Sequence, residues 1–292
     1  FGLYPVLNTV GLSFTNTTLM SKHSEFIGLD NFKRLFADTI FLKAVGNTWL
    51  IWILNFIPLI GFALLLAVMF TDARLNLKGR GVWRAIFYLP HLMPAAVTAL
   101  FAAFFSYYGP ANQLLVRAGF LNDAVRFFDS IGMARGTVVF INWWTWFGQT
   151  MIIVMAGMTS IPTPLYEAAM VDGASAWQMF TRITLPLLKP ILIFIFVTAL
   201  TGGMQMFDIP YLLTDGRGAP QSSIQTSSIL MFLKFNSSKG HIGAASSVGV
   251  LVFILTTVCA LGIFYFLRDK DRDDAKPTQR SLFKKTAERL QS

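Results

Sequence analysis

Five apolar blocks, each near or above the length that carries a helix across a bilayer, dominate this chain. They lie at 44–70, 85–108, 137–160, 191–207 and 242–267. A helical crossing needs about 20 residues. Inside the hydrocarbon every backbone donor and acceptor must be satisfied within the protein, so a crossing segment is a helix or part of a closed barrel. Blocks this long and continuous predict helices, and the chain reads as an all-α, polytopic transmembrane bundle. Charged residues make up 13% of the sequence, about half of what a soluble domain carries. The opening segment 1–14, "FGLYPVLNTVGLSF", is apolar but too short to cross. It is expected to be the outer remnant of a first span, which makes six spans in all. The remaining organisation is an outer loop at 15–43, a membrane domain over 44–267 and a tail at 268–292.

Orientation follows from the basic residues. Segments 72–84, 161–190 and 268–292 hold 14 Lys and Arg in 68 positions, against 10 in the 91 positions of the opposite loops. Lys and Arg are retained on the cytoplasmic side, so the first set is assigned there. The same rule accounts for the net charge of +9 without a nucleic-acid partner. The three histidines are scattered and Cys259 is the single cysteine, so no metal-ligand spacing arises.

Polar groups at membrane depth mark pathways or interhelical hydrogen bonds, and Asn47, Asn55 and Gln149 fall there. The run "NWWTWFGQ" places Trp143, Trp144 and Trp146 near the expected start of a span. Interfacial anchoring explains them, and a sugar-stacking platform is the alternative. Pro90 and Pro94 should kink their span, since each removes a backbone donor. In "GGMQMFD", Gly202 and Gly203 precede Gln205 and Asp208. Such a break suits either a pathway or close packing. The candidate pathway set is therefore Asn55, Gln149, Trp146, Gln205 and Asp208. The outer stretch 212–228, rich in Gly, Ser and Thr, reads as a solvated loop that meets another protein. Residues 281–290 of the tail suggest a short amphipathic surface helix.

The cytoplasmic insert at 161–190 is too long and too ordered for a linker. Thr163 and Pro164 suit an N-cap and first helical position, and Glu167 lies in the first turns, facing the positive helix end. Gly173 suits a left-handed stop. Ser175 with Gln178 three residues on forms a capping box, and Trp177, Phe180 and Thr184 share a face. Pro186 should end this second helix and Pro190 open the next span. Exposed apolar side chains on such an element indicate a partner, and helix-in-groove docking fits.

The segment "EAAMVDGASAWQMFTRITLP" resembles the EAA signature of binding-protein-dependent ABC importer permeases at Glu167, Ala168, Ala169, Gly173, Ile183, Leu185 and Pro186. "FIGLDNFKRLF", "NTW" and "FDIPYLLTDGRGAP" extend the likeness toward the carbohydrate-uptake branch, similar to maltose and glycerol-3-phosphate permeases. Arg217 stands where that branch commonly shows a Gly-Gly-Pro run. The resemblance implies that the EAA loop, including Asp172, couples to a dimeric cytoplasmic ATPase. It also implies a second, non-identical permease subunit, an outer solute-binding protein and residence in the bacterial inner membrane. ATP and Mg would sit on the ATPase, with no cofactor and no catalytic site in this chain, which lacks any G-x-x-x-x-G-K-[ST] loop. The cargo it implies is a sugar or oligosaccharide. An acidic one, such as an alginate fragment, suits the basic outer residues Arg117, Arg126 and Arg217, which equally suit an acidic rim on the binding protein. A membrane enzyme would need an acid, base, nucleophile or metal constellation, which is not apparent. The runner-up is an ion-coupled secondary transporter, a class marked by midplane charges and internal repeats that do not stand out here.

Overall fold

The computed structural model describes residues 2–21, 23–71 and 78–267. The tail expectations, including the surface helix at 281–290, lie outside them. Among the described residues the elements run α1 (Leu3–Ser13), α2 (Asp30–Ala37), α3 (Thr39–Thr71), α4 (Arg80–Leu92), α5 (Pro94–Phe104), α6 (Pro110–Arg117) and α7 (Ile131–Thr159). They continue as α8 (Thr163–Val171), α9 (Ala176–Met179), α10 (Leu185–Met204), α11 (Asp208–Thr214), α12 (Ser227–Phe235) and α13 (Ile242–Leu267). Four described helical stretches are long and apolar enough to cross a membrane, or five if the bent pair α4–α5 counts as one. The short apolar α1 packs along α13.

The prolines act as their chemistry requires. Pro90 lies inside α4, Pro94 opens α5, and the two axes differ by 87° across Met93. A proline removes one helical bond and crowds the preceding turn, and two of them four residues apart turn a kink into a break. Helix α7 starts earlier than the apolar pattern suggests, because Ser130 caps it by accepting from the Met133 N–H. That extension moves Trp143, Trp144 and Trp146 to mid-helix, which overturns the reading of all three as interfacial anchors. Trp143 stacks on Phe147 at 5.4 Å, and Trp144 packs among Phe101, Phe140 and Phe147.

Helices α3 and α7 form the central pair, and glycines let their neighbours approach. A Cβ on Gly148 would overlap the Phe87 carbonyl of α4, and one on Gly157 would overlap Ile191 and Leu188 of α10. A buried cluster that includes Ala63, Leu66, Phe147, Met151, Val154 and Leu188 fills the space between α3, α7 and α10.

On the outer side, 212–228 is not the solvated loop expected. Ser223, Ile224, Gln225, Thr226 and Ser227 are buried. Asn47 donates to the carbonyls of Ser222 (2.7 Å) and Gln225 (3.1 Å), and Arg135 donates to Asn47 Oδ1 (2.7 Å) and the Ser223 carbonyl (3.1 Å). A loop with so much backbone to satisfy is cheap to bury once two side chains supply the donors. Asn47 is thus a structural clamp. A second outer tie joins the Lys234 ammonium to the Asp38 carboxylate at 3.2 Å. Burial opposes ionisation of Asp38, but hydrogen bonds from Lys234 and the Ile40 N–H, with the Lys234 charge, outweigh it and hold the carboxyl below its ordinary value.

Two outcomes follow. Gly148→Ala should lower stability by roughly 1–3 kcal/mol through overpacking, read as a reduced thermal midpoint in detergent, whereas Gly132→Ala, with open space around its Cβ, should not. Because folding lowers the Asp38 value, its ionised form stabilises the fold above the ordinary carboxylate range. Asp38→Asn should therefore be less stable at neutral pH, and the difference should close as acid takes the wild type through its folded value. A gap that persists at the lowest pH would contradict the ion-pair account.

Candidate functional site

Two regions carry the polar and exposed groups singled out in the sequence, and one helix joins them. The first is the insert. Helix α8 begins after Pro162, so Thr163 is its first residue rather than its cap, and Glu167 stands in the second turn, exposed. Gly173 adopts φ +76° just beyond the Asp172 C-cap, as a left-handed stop demands. Ser175 accepts from the Gln178 N–H while the Gln178 side chain accepts from the Ser175 N–H, a complete capping box. The outward surface carries Val171, 88% exposed, and Trp177, 71% exposed, beside Glu167, Ala168 and Asp172. Ala169 is half-buried. Its inner side is anchored: Tyr166, Phe180 and Ile183 pack on the central cluster, and the Tyr166 hydroxyl bonds Thr184 at 2.8 Å.

The expected stop at Pro186 does not occur. Residues Phe180–Thr184 form a π-helical turn that runs directly into α10, with Leu185 and Pro186 at its start and Pro190 within it. The wider turn changes which carbonyl faces each donor, so the N–H that Pro186 lacks leaves no gap in an α ladder. Pro190 is tolerated as prolines in membrane helices are, where neighbours satisfy the freed carbonyl. The helical path is therefore unbroken from Ala176 to Met204.

The second region is a cavity of about 170 Å³ between α3, α7 and α10. Asn55, Asn142, Trp146, Gln149 and Thr198 line it, with Trp52 and Phe56 on one wall. Asn55 is partly committed, donating to the Val139 carbonyl at 3.1 Å. The Trp52 indole N–H donates to the Ala199 carbonyl at 2.9 Å, and its ring lies against Gly203, where any Cβ would overlap it. Gly203 so serves close packing and also borders the cavity. Of the aromatic run, Trp146 alone faces this space, with His91 edge-on to it at 4.8 Å. Amides and an indole face around a small cavity are what a neutral polyhydroxylated solute needs: bidentate hydrogen bonding and a flat apolar surface.

Three of the five pathway candidates, Asn55, Gln149 and Trp146, thus meet in one place. The other two do not. Gln205 caps the C-terminus of α10 and borders a separate apolar groove between α10, α12 and α13, while Asp208 opens α11 and is exposed. Asn142 and Trp52 line the cavity without having been singled out. The signal for Asn142 was present in the sequence, since it is one turn and two turns from Trp146 and Gln149 on the same helix. Just outward of the cavity, Ile51, Val138, Ile141, Met206, Ile209 and Ile224 form a buried apolar cluster beneath the clamped loop.

A multi-pass membrane bundle with a polar internal cavity and a capped hairpin on its basic side is the architecture of a membrane permease. The chain belongs to the family described as the binding-protein-dependent transport system inner membrane component, whose model matches residues 48–271. It is 30% identical over 275 residues to the lactose transport system permease protein LacF of Rhizobium radiobacter, covering 92% of this chain and 90% of that one. It is 33% identical to the sulfoquinovosyl glycerol transport system permease protein SmoG of Agrobacterium fabrum, covering 92% and 86%. Among solved structures it resembles a chain of a bacterial ABC transporter involved in the import of the acidic polysaccharide alginate, with TM-score 0.76 and 27% identity over 91% of this chain and 89% of that one. A structure of bacterial alginate ABC transporter in complex with alginate pentasaccharide-bound periplasmic protein matches with TM-score 0.77 and 26% identity, over 92% and 88%. The resemblance read from the EAA segment is borne out, and the inner-membrane location with it.

If the Tyr166–Thr184 bond pins the hairpin, Tyr166→Phe should cost about 1 kcal/mol locally. Amide exchange across Thr163–Val171 should then accelerate about fivefold, with α7 unchanged; equal rates in both proteins would remove the bond from this role.

Proposed function

We propose that this chain is a membrane-spanning subunit of an ATP-driven importer for a sugar or oligosaccharide. The carrying observation is the unbroken helical path from the capping box at Ser175 to the cavity wall at Ile195, Thr198 and Ala199. Roughly 30–35 Å of helix links the exposed hairpin to the space a solute would occupy. A push on the hairpin therefore reaches the cavity as a rigid displacement rather than through a flexible linker.

In this reading Val171 and Trp177 enter an apolar groove on a cytoplasmic ATPase subunit, and Glu167 and Asp172 meet basic groups at its edge. Ala168 and Ala169 permit close approach. Gly173 fixes the angle between the two arms, and Ile183, Leu185 and Pro186 carry the motion into α10. The ATPase is dimeric and holds ATP and Mg; this chain supplies no cofactor and no catalytic group. A second, non-identical permease subunit completes the pathway, and an outer solute-binding protein delivers the cargo. Alternation then consists of opening the apolar cluster around Ile51 and Ile141 while the cytoplasmic side closes, and the reverse.

The sugar assignment rests on the cavity's amides and Trp146 and on relatives that carry lactose and other sugars. An acidic oligosaccharide is supported by the likeness to the alginate importer, although the described cavity residues include no basic side chain. Family membership disfavours the ion-coupled alternative.

Two substitutions separate the parts. Glu167→Lys should abolish co-purification of the ATPase and cut ATP-driven uptake in proteoliposomes at least tenfold, because it sets a cation against the basic groups at the groove's edge. Gln149→Leu should leave the ATPase bound and lower uptake by raising the half-saturating concentration of loaded binding protein or slowing turnover. ATP-independent, ion-driven uptake by the wild type would refute the reading.

A further inference from the structure

A second concavity, of about 410 Å³, opens on the outer surface where the segment after α1 meets α2 and the α12–α13 turn. It shares no lining residue with the membrane cavity. Arg34, Lys234, Lys239 and His241 line it, against a single acid, Asp38. Asp38 is already engaged by Lys234. Arg34 and Lys239 have no hydrogen-bond or ion-pair partner among the described residues, and both are exposed. The neighbouring carboxylate of Glu25 is held instead by the Asn16 amide at 2.8 Å.

The walls are fixed. Buried Asn31 donates to the carbonyls of Ser13 (2.9 Å) and Thr15 (2.8 Å), lacing α2 to the preceding segment. The Leu19 N–H donates to the Gly240 carbonyl and the Gly243 N–H to the Thr17 carbonyl, lacing that segment to the turn before α13. Gly240 and Gly243 are pressed against Leu19 and the Thr15 carbonyl so closely that a Cβ would overlap either neighbour. The cationic groups are thus presented around a preformed hollow rather than scattered on a loose loop, which lowers the ordering cost of binding.

We propose that this hollow receives one or more carboxylates of the outer solute-binding protein and so anchors it on this subunit. The proposal rests on the importer reading above, which supplies the partner; the pocket supplies the place and the chemistry. A protein carboxylate fits better than a saccharide, because no Phe, Tyr or Trp lines the hollow to stack a sugar ring. Arginine offers a carboxylate two parallel donors, and Lys239 and His241 close the opposite side. Exposed cations of this kind act chiefly on encounter and salt dependence.

The test uses the complete transporter in nanodiscs and its binding protein, titrated until ATPase stimulation saturates. The double variant Arg34→Glu, Lys239→Glu should raise the half-saturating concentration of binding protein about tenfold at low salt. The difference should shrink above roughly 0.5 M salt, where the screening length falls to a few Å. ATP hydrolysis without binding protein should be unchanged. Asn122→Glu, which adds an exposed negative charge elsewhere on the outer side, should shift the value less than about twofold. If the double variant does not assemble, Lys239→Gln alone should give a rise of about threefold. An unchanged half-saturation, an equal response to Asn122→Glu, or an altered affinity for free oligosaccharide in place of binding protein would each overturn the proposal. A wild type that shows no response to its binding protein would instead bring down the importer reading itself.

Discussion

The structure depends on how closely backbone can approach backbone between α7 and its neighbours. In a bilayer, lipid chains are as apolar as leucine, so helices gain little from hiding apolar surface against one another. What holds them is close packing at small residues and hydrogen bonds between helices. Gly148 admits the α4 backbone and Gly157 admits the side chains of α10. With α3 on the remaining face, α7 becomes the post around which α3, α4 and α10 are arranged, while α13 packs on α10 and α12. The cavity lies where this packing is interrupted: Gly203 seats Trp52 at one edge, and the amides of Asn55, Asn142 and Gln149 take up the rest.

Short-range contacts likewise explain why the α8–α9 hairpin is stiff. A capping box fixes the start of its second arm, a left-handed glycine fixes the angle of the first, and Tyr166 locks the first arm to the π turn. Pro186 and Pro190 would ordinarily break such a path. Widening the turn just before Pro186 keeps the axis continuous without requiring its absent N–H. A π turn stores a local alternative, because tightening it to α geometry rotates everything beyond by a fraction of a turn.

How much of this the sequence disclosed varied with the range of the interaction responsible. The spans, the break at Pro90 and Pro94, the stop at Gly173 and the Ser175–Gln178 box depend on residues within a turn or two of one another, and all were legible. The burial of 212–228 was not, because it rests on Asn47 and Arg135, more than 80 positions away along the chain. A Gly- and Ser-rich stretch looks solvated until a distant donor claims its carbonyls; Ile224 at its centre was the one local hint. The continuity through Pro186 was hidden for a related reason, since proline signals a stop unless the turn before it changes type. The misplacement of Trp143 and Trp144 followed from missing the Ser130 cap, a one-residue signal upstream of the apolar block.

The polar residues at membrane depth divide by whether the protein satisfies them, and the division separates scaffold from pathway. Asn47, Arg135, Thr48 and the Trp52 indole all meet protein partners, and a satisfied polar group rigidifies the helices it joins. The carboxamide of Gln149 lines the cavity without a hydrogen-bond partner among the described residues. Gln149 is only half-buried, so its amide is open to the cavity, where water or a polar solute can complete its hydrogen bonding. A polar cavity, bordered outward by an apolar cluster and walled by the helix that runs on from the α8–α9 hairpin, is one whose shape changes when that helix moves.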